Sequence, residues 1–450
     1  MPKIIIIGGG PGGYHTAIYA AKNGLEVTLF EKEYLGGTCL NSGCIPTKTL
    51  CHEAEKAALL RQYGITPDLN AAIDRKNAVV EQLRQGVETL LQNSGVTVIK
   101  AEAKFKNRRT VIADGKEYDA DFIIIATGSS SKMPPADITP SPLIMTSTEM
   151  LNVRQMPRRL CIIGAGVIGM EFASIFHRMG TEVTVIEFLK ECLPAIDSEI
   201  AKRVRKLMEK RGMTFIMQAA LKSAKETADG SQVTVAYERK GKVTEEVFDA
   251  VLIATGRKPN VEGLGLENAK VEYSEKGIVV SSSTYQTSSV SIDYTTSHIY
   301  AIGDVNANTM LAHAAIAQGI KAVDHIMGKE NNIFTGIMPA AVFTDPEVAS
   351  VGGLEDELIT QELPYAVQKA YLRANGRALA NDDTEGMVKL FYGTEDGQIF
   401  GCHAYGSHAA DMIQEVAALM NAGATISDLR NTIHIHPTIA ETLQEAALST

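Results

Sequence analysis

Six cysteines among 450 residues are too few for the disulfide scaffold of a small secreted protein. Zinc spacing is missing as well. No His/Cys cluster has the pattern of a zinc site, and no metal is expected. No apolar run approaches the roughly 20 residues that a membrane-spanning helix needs. Positive charge is in deficit: 43 Lys and Arg stand against 53 Asp and Glu, a formal net charge of −10. That excludes nucleic acid and anionic membrane surfaces as main partners. Met1-Pro2-Lys3 runs straight into Ile4–Ile7, with no signal-peptide or transit-peptide pattern. A bacterial, cytoplasmic protein is the expectation. What the chain does have is 45% hydrophobic residues. It also has the length for about three domains.

One pattern occurs twice. Ile4–Ile7 is a β-branched run, followed by Gly8-x-Gly10-x-x-Gly13 and a helical stretch to about Asn23. A second strand, Val27 to Phe30, ends on Glu31. The order returns 156 residues later: Leu160–Ile163, Gly164-x-Gly166-x-x-Gly169, a helix to about Met179, then Val183 to Ile186 and Glu187. Each copy closes on an apolar strand and Ala-Thr-Gly, at Phe122–Gly128 (with Thr127) and at Val251–Gly256. Two such copies in strand–turn–helix–strand context predict two Rossmann-like dinucleotide folds. The first glycine allows the tight turn, the second lets backbone approach a pyrophosphate, and the third lets helix and strand pack. The helix N-terminus offers amides and a positive dipole end to the phosphates. The terminal carboxylate accepts ribose hydroxyls. The alternative is a pair of glycine-rich turns without ligands.

Residues 281–297 are rich in Ser and Thr and read as a strand edge and surface loop, before a buried strand resumes at Ile299–Ile302. After Gly336 the pattern changes to strands at Ala341–Phe343, Met387–Phe391 and Ile399–Tyr405 and an amphipathic helix over Asp411–Asn421. This is an α+β order. The expected fold class is α/β: two Rossmann-like domains plus a C-terminal α+β domain. The first covers 1–148 and is completed by 276–336, the second covers 149–275, and the third covers 337–450.

Cys39 and Cys44 lie in Gly36-Gly37-Thr38-Cys39-Leu40-Asn41-Ser42-Gly43-Cys44-Ile45-Pro46-Thr47-Lys48, shortly after Glu31. In a regular helix their Cα atoms would be roughly 8.6 Å apart. A disulfide needs less than about 7 Å. A bridge therefore requires a distorted turn, for which Gly43 supplies freedom. Pro46 suits a first helical turn, and a helix starting there places its positive end near Cys44 and favours a thiolate. In a cytosolic protein such a pair reads as redox-active. A metal site and two unrelated buried thiols stand beside that reading. Cys161 sits in an apolar run and is expected in the core. Cys51, Cys192 and Cys402 have no partner at a telling spacing.

These motifs resemble the glutathione reductase and dihydrolipoamide dehydrogenase family. The resemblance covers nearly the whole chain. It includes Ala254-Thr255-Gly256-Arg257-Lys258-Pro259-Asn260, Ile302-Gly303-Asp304, Phe343-Thr344-Asp345-Pro346-Glu347 and His434-Ile435-His436-Pro437-Thr438 with Glu441. It implies FAD at Gly8, Gly10, Gly13, Glu31, Lys48, Thr127, Gly128, Gly303, Asp304 and Ala312. It implies NAD at Gly164, Gly166, Gly169, Glu187 and Gly256. Cys39 and Cys44 would form the working disulfide, Cys44 facing the flavin and Cys39 the substrate, with Lys48 and Glu171 paired near the flavin. Alternatively, Lys48 and Glu171 are solvated surface charges. His436, oriented by Glu441, would be the base and reach the disulfide of the other subunit across a cis His436–Pro437 bond, so the C-terminal domain would make a homodimer. His434 is assigned a supporting or structural role.

Glu187 suits a ribose 2′-hydroxyl and repels a 2′-phosphate, which favours NAD over NADP. With Leu311-Ala312-His313-Ala314 and Ala374-Asn375-Gly376-Arg377-Ala378, this points to the branch that oxidises dihydrolipoamide to lipoamide. The implied partners are a lipoyl-bearing protein and a 2-oxo-acid dehydrogenase or glycine-cleavage complex. Two rivals are an NAD(P)H-dependent reductase of another low-molecular-weight disulfide, like glutathione reductase, and a flavoprotein retained as a structural partner.

Overall fold

Strands that are apolar at every position suit a parallel sheet covered on both faces, and both copies of the repeat build one. In the computed structural model, which describes residues 1–288, 298–330, 333 and 335–449, the chain forms two compact units. The first holds Met1–Leu50, Asn70–Lys132 and Gly256–Thr335. Its parallel sheet runs in the order Ile299–Ala301, Phe122–Ile125, Lys3–Ile7, Glu26–Glu31, Thr97–Lys100. Side chains alternate across it, as a period of two demands. Ile4 and Ile6 pack with Ala17, Ala20, Ala322 and Val323 of the helices Pro11–Lys22 and Ala312–Ile326. Ile5 and Ile7 pack on the other face with Val111, Leu264 and Val305.

The second unit holds Cys51–Leu69, Met133–Thr255 and Gly336–Thr450. Its parallel sheet repeats the first: Ile144–Met145, Ala250–Ile253, Arg159–Ile163, Glu182–Glu187, Thr214–Met217. A five-stranded antiparallel sheet follows, in the order Ala340–Val342, Val348–Gly352, Ile399–Tyr405, Met387–Gly393, Tyr365–Tyr371. One face packs Val388, Leu390, Cys402 and Ala404 against Met412, Ile413, Val416, Leu443 and Ala447 of the helices Ala409–Asn421 and Glu441–Leu448. The opposite face carries Lys389 beside its cross-strand neighbour His403.

The domain edges expected at 148 and 275 lie inside these units. Ile144–Met145 pairs with Ala250–Ile253 and so joins the second sheet. Val261, Leu264, Leu266, Ala269 and Val271 belong to the core of the first unit. The two connections leaving the Ala-Thr-Gly motifs form a short ribbon, Ser129–Ser131 antiparallel to Arg257–Pro259. The Ser/Thr-rich stretch is described to residue 288, where Thr287 bonds back to Ile299. Residues 289–297 lie outside the described residues. Among the described residues no helix is long and apolar enough to cross a membrane, and no cluster of His, Cys, Asp and Glu could hold a metal ion.

Candidate active site

The first glycine loop joins Lys3–Ile7 to Pro11–Lys22. Gly8 turns at φ +107°, and a Cβ there would lie 2.3 Å from the Ala126 carbonyl oxygen. A Cβ on Gly13 would lie 1.8 Å from the Gly8 oxygen. Gly10 is different: its Cβ would meet only the Gly37 Cα, at 3.9 Å. The helix starts without a side-chain cap, which leaves its first amides directed outward. Glu31 closes the cradle by accepting the Gly9 N–H and the Glu33 N–H, each at 2.7 Å.

The second loop repeats this construction. Gly164 turns at φ +105°, with a Cβ 2.4 Å from the Ala254 oxygen, and a Cβ on Gly169 would lie 1.9 Å from the Gly164 oxygen. Nothing lies within 4 Å of a Cβ on Gly166. Val167–Met179 also starts uncapped. Glu187 accepts the Ala165 N–H at 2.5 Å and the Leu189 N–H at 2.7 Å. A carboxylate only accepts, so the lone pairs left on Glu31 and Glu187 suit hydroxyl donors.

The thiol segment folds as the spacing requires. A short helix, Gly37–Ser42, breaks at Gly43, and a second, Cys44–Gln62, begins at Cys44 with Pro46 in its first turn. A Cβ at Gly43 would press to 2.9 Å from the Thr38 oxygen. Cys39 and Cys44 are present as thiols. The Cys39 thiol is pushed well above its ordinary range, first by its hydrogen bond with Cys44, then by burial and by the Cys44 charge. The Cys44 backbone and the Lys48 charge pull the other way. Lys48 lies one turn beyond Cys44 on the same helix. Cys51 donates to the Phe343 oxygen at 3.4 Å. Cys161, Cys192 and Cys402 are buried, and burial pushes their thiols up.

Around Asp304 the structure adds residues that sequence reasoning did not assign. Asp304 accepts the Ser129 hydroxyl. Arg257 donates to the Ser129 hydroxyl oxygen at 2.7 Å and to the Ser129 carbonyl at 2.6 Å, and lies 3.8 Å from Asp304. Burial draws the guanidinium down, while Asp304 and Cys44 oppose it. The Arg-Lys-Pro-Asn run marked this place in the sequence, but Ser129, which pairs with Pro259 across the ribbon, is a long-range contact. Asn260 and Thr127 exchange side-chain-to-backbone bonds of 2.8 and 2.9 Å. Gly128, Gly256 and Gly303 all have positive φ. The Gly303 N–H donates to Gln318 at 2.7 Å. Ala312 opens Ala312–Ile326, another uncapped helix.

Glu171 is buried on Val167–Met179 and accepts the Phe343 N–H at 2.9 Å, so it is not a solvated surface charge. Lys48 and Glu171 belong to different compact units. In the second unit, His436 Nδ1 lies 2.9 Å from Glu441 Oε1, and the other Glu441 oxygen accepts the Thr438 N–H at 2.8 Å. The Thr438 N–H, then His436 and the charge of His434, hold the Glu441 carboxyl below its ordinary range. The His436–Pro437 bond is cis. The His436 side chain is 81% exposed, and Ile433 and Ile435 before it are 93% and 79% exposed.

Residues 2–319 match the family model described as pyridine nucleotide-disulphide oxidoreductase, and 338–447 match that family's dimerisation domain. The chain belongs to the pyridine nucleotide-disulphide oxidoreductase family. Its cofactors are FAD and NAD(H), and the dimerisation domain supports a homodimer. The chain is 37% identical to dihydrolipoyl dehydrogenase 2, mitochondrial, of Arabidopsis thaliana, over 99% of this chain and 90% of the relative. It is 38% identical to the dihydrolipoyl dehydrogenase of Haloferax volcanii, over 99% and 95%. Among solved structures, the HOCl-induced flavoprotein disulfide reductase RclA of Escherichia coli aligns with a TM-score of 0.89 at 30% identity, covering 99% of each chain.

The two cradles fit the family's cofactors. Space in front of an uncapped helix, which a Cβ on Gly10 or Gly166 would fill, is what a pyrophosphate needs. Asn41 Oδ1 is a buried acceptor with no donor among the described residues, and it fits a donor from a bound cofactor. A contrast between neighbouring glycines tests the second cradle. Gly166→Ala has no clash within the chain and is expected to leave the melting curve without nucleotide unchanged. NADH affinity should fall about tenfold, or ~1.4 kcal/mol. Gly169→Ala is expected to destabilise the chain itself. NADH titration and thermal melting of both variants check this. Unchanged NADH affinity in Gly166→Ala would remove the ligand from that space.

Proposed function

We propose that this oxidoreductase oxidises dihydrolipoamide to lipoamide and reduces NAD+. The likeness to dihydrolipoyl dehydrogenases along almost the entire chain supports this most. The Glu187 carboxylate, set to receive a ribose hydroxyl, favours NAD over NADP.

In this reading His436 of the partner subunit takes the proton from a substrate thiol at Nε2, while Glu441 holds its Nδ1–H. The resulting thiolate attacks the Cys39 sulfur. The Cys39–Cys44 bond breaks, and Cys44 leaves as a thiolate. The second substrate thiol attacks the sulfur bound to Cys39, which closes the lipoyl disulfide and leaves both electrons on the protein's dithiol. Bound FAD supplies the two-electron relay from that dithiol to NAD+. Lys48, through its charge, and the Cys44–Gln62 helix start favour thiolate over thiol. Glu171, Asp304 and the two glycine cradles bind and orient the cofactors. Lipoyl-bearing proteins of a 2-oxo-acid dehydrogenase or glycine-cleavage complex are the proposed partners.

A substrate panel tests the reading. Lipoamide, glutathione disulfide and coenzyme A disulfide are each assayed with NADH and with NADPH. Lipoamide with NADH is expected to exceed every other pair by at least tenfold in kcat/KM, about 1.4 kcal/mol. The likeness to RclA, a flavoprotein disulfide reductase, favours the second reading, a reductase of another disulfide. Preference for a different disulfide in the panel would establish that second reading instead.

A further inference from the structure

One side chain in the exposed stretch 433–436 is buried. Only 4% of the His434 side chain is exposed. Its Nε2 lies 2.9 Å from Glu415 Oε1 on the helix Ala409–Asn421, and its Nδ1 lies 3.1 Å from the Thr432 carbonyl oxygen. A carboxylate and a carbonyl thus stand within hydrogen-bond distance of the two ring nitrogens. The Thr432 carbonyl also accepts from the Gln444 amide at 2.8 Å. Gln444 lies on Glu441–Leu448, the helix whose first residue is Glu441. His434 thus ties the segment to the helix Ala409–Asn421, and the Thr432 carbonyl that it shares with Gln444 ties it to the helix that carries the partner of His436. Beyond it, the stretch before Pro437 is held by the Thr438 hydroxyl, which donates to the Ile435 oxygen at 2.7 Å.

We propose that His434 is a positioning residue for the His436–Glu441 pair. Through Glu415 and the Thr432 carbonyl it fixes the backbone two residues before His436. The Nδ1–H of His436 then stays on Glu441, and Nε2 faces outward as the proton acceptor. The inference rests on the reading of His436 as the base. A general base works only within hydrogen-bond reach of its proton, and misplacement by about 1 Å can cost roughly 10²-fold. On so exposed a segment, a buried ring held to Glu415 and to the segment's own Thr432 carbonyl supplies the required constraint.

The test reads the ring itself. In histidine-¹⁵N-labelled holoenzyme, the His436 signals are assigned by their loss in His436→Gln. The neutral ring is expected to carry its proton on Nδ1. His434→Phe keeps a ring and removes both ring nitrogens. The neutral His436 ring should then become a mixture rich in the Nε2–H form. With it, kcat/KM for dihydrolipoamide should fall about tenfold or more, part of the roughly 10²–10⁴-fold that a positioned base supplies. NADH-driven dye reduction, which needs no thiol proton transfer, reports that the holoenzyme is intact. Glu415→Ala, at a half-buried helix position, should move the ring the same way if His434→Phe folds poorly. Glu415→Gln keeps an acceptor oxygen and should restore it. An unchanged His436 tautomer in both His434→Phe and Glu415→Ala overturns the proposal. If the tautomer shifts but the wild-type chain does not oxidise dihydrolipoamide, the positioning role stands and the proposed substrate falls.

Discussion

Replacing Cys44 with serine is expected to lower dihydrolipoamide oxidation by roughly 10⁴-fold or more, the scale seen when a covalent relay loses its reacting atom. The expectation follows from where the residue sits. Cys44 opens the helix Cys44–Gln62 and is hydrogen-bonded to Cys39 across the break at Gly43. Serine matches its size and can still donate and accept a hydrogen bond, so the fold around Gly43 should survive. A serine oxygen, however, cannot form the bridge or leave as a thiolate. Flavin content and NADH-driven dye reduction should therefore stay near wild type. Cys39→Ser should be equally inactive with dihydrolipoamide, because the first exchange has no sulfur to attack. Stopped-flow reduction of the flavin by dihydrolipoamide and by NADH checks the pair. Reduction by dihydrolipoamide should disappear in both variants, and reduction by NADH should persist. Wild-type dihydrolipoamide turnover in Cys44→Ser would falsify the assignment of the working disulfide.

Much of this site was legible because its requirements are local. Gly8, Gly13, Gly164 and Gly169 leave no room for a Cβ against backbone a few residues away or at the strand end. That steric demand leaves a fixed spacing in the sequence. The helix break at Gly43 was legible for the same reason: a five-residue cysteine spacing does not fit an unbroken helix. His436 and Glu441 lie within one short turn and its helix. The illegible parts depend on register between distant strands. Ser129 meets Arg257 only because the two connections leaving the sheets pair antiparallel. Ile144–Met145 is two residues long, too short to show a period, and it becomes a strand by pairing with Ala250–Ile253. His434 offers no sequence sign of its burial, since Glu415 reaches it from another helix. Lys389 is the clearest case. In Met387–Gly393 it shares its face of the strand with Met387 and Phe391, and nothing near it in the sequence announces the carboxylates that meet its ammonium. Asp197, which caps the helix Ser198–Lys210, Glu199 in its first turn and Glu355 reach Lys389 from distant parts of the sequence.

Lys389 is for that reason the expected site of the largest loss of stability. Its side chain is 2% exposed, and its Nζ lies 2.9 and 3.0 Å from the two oxygens of the buried Asp197, 2.6 Å from Glu355 and 3.3 Å from Glu199. Asp197 also caps Ser198–Lys210, accepting the Glu199 and Ile200 N–H groups at 3.1 and 3.2 Å. Burial alone would lower the Lys389 pKa, but Glu355 and Asp197 outweigh it and hold the ammonium above its ordinary range. A raised lysine contributes stability that is complete below its ordinary pKa and is lost as pH rises through the folded value. Glu199 has the opposite sign: burial pushes it up, yet Lys369, Arg203 and Lys389 bring it down to about 2. Its contribution is complete above 4.5 and fades as pH falls toward about 2. Lys389→Met keeps the volume and removes the charge, leaving Asp197 buried beside Glu355 with no cation. Breaking a buried pair from one side costs about 3–5 kcal/mol. Adding Asp197→Asn should recover part of that loss, because asparagine still caps the helix and carries no charge to strand. Urea unfolding of the single and double variants at neutral pH reads the coupling directly. An unfolding midpoint in Lys389→Met equal to wild type would show that the cluster contributes nothing net. A double variant less stable than Lys389→Met would show that Asp197 acts through its charge on something other than Lys389.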